Sequence, residues 1–459
     1  MKKALHVFGL IVVLMGLFLL PTQASGPPGS WTTDFTILNL ESQEAKVQIT
    51  RYTKFEEGGS TDTGTVVKSP TVAGGGSFYY NPALDASFPT GFSGSVVVSS
   101  DKRIAATVTV ANDQTGNAYA SDAYAGVSEV SSSVFLPIIM GNLGVWNTRI
   151  AVQNAGSETT NVTIHYIGSG APSDSTITNL PPNMMALVDQ QDISGISNFN
   201  GSATVTSNND QPLAVVVDEY KTTGGVLVSY VGIPLSQADQ TIYMPGFIAS
   251  GQWATDFTIV NTTGDQATVD VTFSGASNTL SGSIAGNGSA YVNGYAGAYP
   301  SGWTGNVPTS GYYGSATVTA SKDVVVVYNI ANSAGGAGNY ALGYVGFPST
   351  GGAREVAIPL IENRYSTGWD TTFSVQNIEG GTAGLSMVYS GNKTALCDPC
   401  GYTMTSPSHT FNQTTDGHIP EGFIGGVTIT SDKDIVVIGD QNKTGGLGDT
   451  AAGFPGIAK

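Results

Sequence analysis

Cys397 and Cys400 are the sharpest chemical feature of this chain, and they are its only cysteines. They form a C-x-x-C within the loop Cys397-Asp398-Pro399-Cys400-Gly401. Three chemistries use such a pair. In an exported chain a disulfide is the expectation, and it would stiffen a hairpin tip. A zinc site would add His409 and His418, whose separation is wider than the usual spacing of paired histidine ligands. A redox pair needs a thioredoxin-like βαβ setting, which the surrounding sequence lacks. We expect Cys397 and Cys400 to be joined, with no metal and no cofactor.

Other patterns of catalysis are missing. The sequence has no G-x-S-x-G elbow, no H-E-x-x-H, no P-loop and no dinucleotide glycine fingerprint. Beyond the N-terminal segment the histidines are His165, His409 and His418, and none recurs with the repeats described next. No pair of carboxylates recurs either. Asp101, Asp210, Asp323, Asp432 and Asp434 stand at turns, where Asp caps its own backbone. A calcium loop of the D-x-D-x-D-G kind is absent. Sequons at Asn161, Asn261, Asn287 and Asn392 arise readily in a chain rich in Ser, Thr and Asn. These observations read as a protein that is not an enzyme. One aromatic cluster, Trp303, Tyr312 and Tyr313 with Tyr295 and Tyr299, is a candidate sugar platform. Packing against a neighbouring module is the plainer role for the same tyrosines.

The elements that must position these residues are written in a repeat. Trp31, Trp146, Trp253 and Trp369 each open the pattern W-x-T-x-[FI]-x-[VI]-x-N, which ends at Asn39, Asn154, Asn261 and Asn377. Step two is the period of a β-strand, so the matched side chains share one face and belong to a repeated core. Three further landmarks recur. An apolar strand carrying a proline precedes the last three tryptophans, as in Phe135-Leu136-Pro137-Ile138-Ile139. Proline cannot donate to a ladder, so this strand is expected at an edge or a kink. Later in each unit two β-branched runs flank a polar turn, which predicts a hairpin. An exit phrase such as Tyr230-Val231-Gly232-Ile233-Pro234 closes the unit.

Seven or eight short strands per unit of about 110 residues fit an all-β fold of four tandem antiparallel, immunoglobulin-like β-sandwiches. A propeller blade is too short for such a unit, unless each unit held two. The expected divisions are a signal peptide at 1–24 and modules at 25–133, 134–240, 241–354 and 355–459. Lys2 and Lys3, the apolar run to Leu20 and the small residues to Ala24 make the export signal. Its removal leaves 15 basic against 34 acidic residues, taking the formal charge from −17 to −19. An acidic chain of this kind repels nucleic acid and anionic lipid. No second apolar run is long enough to span a membrane. The expected location is extracellular, secreted or on the cell surface.

In these motifs the chain resembles repeats of large secreted bacterial surface proteins. There the tryptophan strand is followed by a G-S-x-x-V strand, a polar turn and an apolar arm. The resemblance covers nearly all of the chain beyond the signal, and it implies a sandwich module without catalytic residues to carry over. The function expected is structural or adhesive, through self-association or contact with other surface proteins, in an extracellular layer or filament. Stacked modules would supply length. The alternative is a secreted carbohydrate-binding protein with glycans as partners.

Mapping peptides of the exported protein by mass spectrometry without reductant tests the cysteine reading. Cys397 and Cys400 should be recovered joined. Two free thiols, or stoichiometric zinc that is lost in Cys397→Ser, would contradict it.

Overall fold

The computed structural model describes residues 27–277, 279–332, 340–366, 368–443 and 449–459, with the backbone alone of 11–16 and of residue 117. The signal residues Lys2, Lys3, Leu10 and Leu17 to Ala24 lie outside the described residues. The described chain is all β. Its only helical segments are five 3-10 turns of three residues each. No helix among the described residues is long and apolar enough to cross a membrane.

Each repeat builds two sheets. In the second, Leu213–Lys221 lies between Trp146–Asn154 and Leu227–Val231, with Met185–Asp189 beyond the tryptophan strand. In the other sheet Phe199–Ser207 lies between the proline strand Ser133–Gly141 and Thr160–Ile167, with Ser175–Leu180 outermost. Alternation sends Ile150, Val152, Val215 and Val217 inward from one sheet to meet Leu136, Val162, Ile164 and Val205 from the other. The strand order recurs around Trp31–Asn39, Trp253–Asn261 and Trp369–Asn377.

The late pair of apolar runs differs from the predicted hairpin. Its arms lie in opposite sheets: Gly94–Ser100 pairs with Ala45–Thr53, whereas Ile104–Asn112 pairs with Trp31–Asn39 and Ser121–Ala125. In the third and fourth repeats the two arms run on as single strands, Tyr312–Asn332 and Phe423–Lys443, that cross from one sheet to the other. Each arm is the middle strand of its own sheet, so other strands already hold both of its edges.

The proline strand bends as its proline demands. Its register shifts between Leu136 and Ile139, between Met244 and Phe247, and between Ile358 and Ile361. The threonine two residues after each of the last three tryptophans holds the strand beyond that bulge. Thr148 Oγ1 donates to Met140 O (3.1 Å), Thr255 Oγ1 donates to Ile248 O (2.9 Å), and Glu362 N–H donates to Thr371 Oγ1 (2.9 Å).

The asparagine ending each tryptophan strand is buried and ties the following loop. Asn154 Nδ2 donates to Glu158 O (2.7 Å) and Leu180 O (2.9 Å), and its Oδ1 accepts from Gly156 N–H (2.9 Å). Asn39 and Asn261 make the corresponding bonds, and Asn377 ties its own loop through Gly380 O, Gly381 O and Glu379 N–H. The tryptophans vary more. Trp31 is buried at 2% exposure and donates Nε1–H to Pro27 O (3.1 Å). Trp146, Trp253 and Trp369 are half-buried instead of core. They open their strands at the end of the sheet, opposite Lys221, Asn332 and Lys443, where Trp146 and Trp253 pack against the margin of the core. Lys221 Nζ covers the Trp146 ring at 4.9 Å.

The repeats close on themselves. Each proline sheet covers the outer face of the next repeat's tryptophan sheet. Ala151, Ala214 and Val216 join the core of the first repeat, and Val260, Val325 and Val327 join the second. Ile438 and Ala451 join the third. The last repeat meets the first: Ala357 packs with Leu38, Leu40 and Ala105, and Ala123 enters the fourth core. The chain is therefore a ring, where stacking in line was expected. A sheet has two faces, and both faces of each tryptophan sheet are apolar, so a linear stack would leave one face wet at its end.

The asparagine tie and the half-buried tryptophan rank two substitutions. Asn261→Ala strands carbonyls and an N–H in the interior and should cost about 2–4 kcal/mol. Trp253→Ala should cost less, about 1–3 kcal/mol, because its ring is already partly wet. Urea unfolding of both variants checks the order, and a larger loss for Trp253→Ala would refute it.

Candidate functional site

The four exit strands meet where the ring closes. Ser121–Ala125 lies beside Leu227–Val231 and Ala451–Pro455, and Ala341–Val345 lies beside the same two. The approach is close: a Cβ on Gly343 would stand 2.6 Å from Val228 Cγ1 and 2.8 Å from Ser229 O, so glycine is required there. Two buried aspartates join the strands. Asp122 accepts from the N–H groups of Ser229 and Gly453, the latter at 2.8 Å. Asp449 accepts from Leu227 N–H and Ala341 N–H, both at 3.2 Å. Its own carbonyl takes the N–H of Ser121 (3.0 Å). Burial raises both carboxyls well above the usual carboxylate range, and the neighbouring Asp218 raises Asp122 further, as Asp122 raises Asp449. Sequence reasoning missed this pair. Asp122 and Asp449 share no motif, and only ring closure brings them within reach of the same strands.

A cavity of about 450 Å³ lies against these strands, lined by segments of all four exit phrases, including Tyr124, Gly232, Phe347 and Gly456. Arg103 and Glu129 are the charged residues on its wall. Main chain and small residues dominate, so the cavity offers no constellation of acid, base and nucleophile.

A second cavity, of about 730 Å³, opens between the third and fourth repeats. Trp253 and Tyr340 stack on its wall, with centroids 6.1 Å apart and planes 9° apart. Tyr313, Asn412, Asp440 and Lys443 bring polar groups to it. Burial pushes the Asp440 carboxyl up to about 7. An aromatic face beside amide, carboxyl and ammonium groups can hold a neutral polyhydroxylated ring.

The predicted sugar platform is dispersed. Trp303 is 7% exposed, and its ring lies across Gly282, where a Cβ would stand 2.2 Å from it. Tyr312 packs edge-on to Phe247 and Phe273 and donates to Ser315 O (2.8 Å). Tyr313 and Tyr295 are exposed.

Cys397 and Cys400 form a disulfide with Sγ atoms 1.95 Å apart. The His418 ring stands close enough that its nitrogen and both sulfurs lie within 4.8 Å of one another. His418 Nδ1 is bonded to Tyr389 Oη (3.1 Å). His409 is turned elsewhere, bonded through Nδ1 to Tyr402 Oη (3.0 Å). The structure thus assembles three of the four residues weighed for zinc, with both thiols spent on each other. The turn aspartates cap backbone: Lys46 N–H donates to Asp101 (2.7 Å) and Gly384 N–H to Asp432 (2.8 Å).

No family model matches the chain, and no curated protein matches it. Among solved structures, the tetra-tandem repeat in the extending region of a large adhesion protein aligns at 13% identity and TM-score 0.10, covering 98% of this chain and 99% of that one. Escherichia coli alpha-2-macroglobulin activated by porcine elastase aligns at 9% identity and TM-score 0.11, over 97% of this chain and 44% of that one. Likenesses this slight carry no argument about fold or role.

Carboxyls buried at the boundaries between repeats set a pH dependence. Burial raises Asp34 to about 6, Glu362 to about 7 and Glu219 to about 8. Their unfolded values lie near 4, so between these limits the folded chain holds more protons. The stability is fully present below the unfolded values and is lost as pH rises through about 6 to 8. Each group adds up to about 1.4 kcal/mol per pH unit to that loss. Urea midpoints should fall between about pH 5 and pH 8.5, and Glu219→Gln should flatten the fall. A midpoint that rises with pH would contradict this.

Proposed function

We propose that this chain is an exported, non-enzymatic scaffold of the cell surface, structural or adhesive in role. One observation carries the reading. The polar residues that recur with the repeat are spent inside the fold: the strand-ending asparagines tie loops, and the threonines pin the proline strands. Repetition here builds a frame, and the recurring polar residues leave no recurring open site among the described residues. The outer surface is poor in charge, with 11% Asp, Glu, Lys and Arg, and such a surface suits contacts made by shape and hydrogen bonding. Because the chain closes into a ring, a layer or filament would be built by contacts between rings. Protease shaving of intact cells, followed by negative-stain microscopy of the purified protein, tests the proposal. Release by external protease and regular sheets or fibres are expected. Protection in the cytoplasm would overturn it.

A carbohydrate-binding role is the second reading, favoured by the Trp253–Tyr340 stack beside Asp440. Glycan-array binding should then be lost in Tyr340→Ala and kept in Tyr295→Ala. Absence of any glycan bound would remove this reading.

A further inference from the structure

The first repeat has its proline-strand position filled from outside the repeated sequence. Residues Ile11–Gly16 pair antiparallel with Gly94–Ser99, one residue to one residue. The register is that of the internal strands. Val12, Val13 and Leu14 stand opposite Val98, Val97 and Val96. Val134, Phe135 and Leu136 stand opposite Val205, Thr204 and Ala203, the corresponding positions of the second repeat. Ile242, Tyr243 and Met244 do the same in the third, and Val356, Ala357 and Ile358 in the fourth. The internal strands then bulge at their proline, whereas Ile11–Gly16 runs straight to Gly94.

The position is a cleft with a defined chemistry. Gly94–Ser100 is paired on its other edge by Ala45–Thr53. Val96 and Val98 turn into the core of the first repeat. The far wall belongs to the second repeat. In the third repeat a Cβ on Gly246, just after the proline, would stand 2.6 Å from Ile438 Cδ1 and 3.4 Å from Ser374 Oγ. Ser374 and Ile438 face each other across their ladder, and the matching pair in the second repeat is Ala151 and Val216, which lie in the first repeat's core. A strand in the cleft thus completes a ladder on one side and lies on an apolar wall on the other.

We propose that the edge of Gly94–Ser100 is a strand-accepting site, held in the precursor by residues 11–16 and taken after export by an apolar strand of another polypeptide. The occupant is an extended, uncharged segment of about seven residues, apolar at the positions that Val134 and Leu136 fill in the second repeat. An open edge exposes a row of unpaired N–H and C=O groups beside buried valines, which is a template for strand addition. While residues 11–16 remain attached, they compete at the effective concentration of a tethered ligand.

The proposal rests on removal of the leader, so N-terminal sequencing of the exported protein comes first. A labelled peptide spanning Ser133–Gly141 is then titrated into exported protein and into precursor made without export, followed by anisotropy. One peptide should bind per exported chain, and the precursor should bind at least about tenfold more weakly. A peptide carrying Leu136→Lys should not bind, because that side chain is buried in the sister position. Equal binding by the two forms, no binding by the exported form, or residues 11–16 retained after export would each overturn it. Surface shaving is read separately, so the scaffold proposal can fail or survive on its own.

Discussion

The proline strand does two jobs, and the rest of the architecture depends on both. It completes the sheet of its own repeat, through pairs such as Leu136 with Ala203, and it covers the tryptophan sheet of the next repeat. Proline makes this possible by interrupting the ladder. The register shift at Pro137, Pro245 and Pro359 turns the strand without leaving it. Threonine then fixes the segment beyond the bend, and Gly246, at φ +78°, allows the backbone to rest on Ile438. Three such contacts, with the first repeat's own sheet lying on the second repeat, bring the last repeat onto the first.

Contact between successive repeats and closure of the ring remove water from several carboxyls. Asp122 and Asp449 lie where four strands converge, and Glu219, Glu362 and Asp34 lie where one repeat meets another. The chain has few cations to set against them, 17 Lys and Arg against 34 Asp and Glu. Among the described residues Arg149, 3.8 Å from Asp218, is the buried exception. Backbone N–H groups and protonation therefore do what ion pairs do elsewhere. The result is a fold in which several buried carboxyls are held protonated well above the usual carboxylate range.

The same closure bears on function. A ring holds its repeated polar residues as internal ties and offers partners its rim, its loops and any strand edge it leaves open. The two cavities belong to places where repeats meet, at the exit strands and between the third and fourth repeats. The first cavity is lined by the recurring exit phrases, the second by residues particular to the third and fourth repeats.

The sequence by itself determined the local grammar: β-strands of period two, a repeat marked by Trp31, Trp146, Trp253 and Trp369, and a bend wherever the strand carries proline. These follow from neighbours along the chain, and alternation or a missing N–H is visible there. It could not determine which strands pair. The two late arms read as a hairpin because they are adjacent and apolar, yet each is the middle of a different sheet. Nor could it place Trp303 under Gly282, or bring Asp122 and Asp449 to the same strands. The first two depend on strands brought together within one repeat, and the last on contacts as far as 331 positions apart, made only when the ring closes.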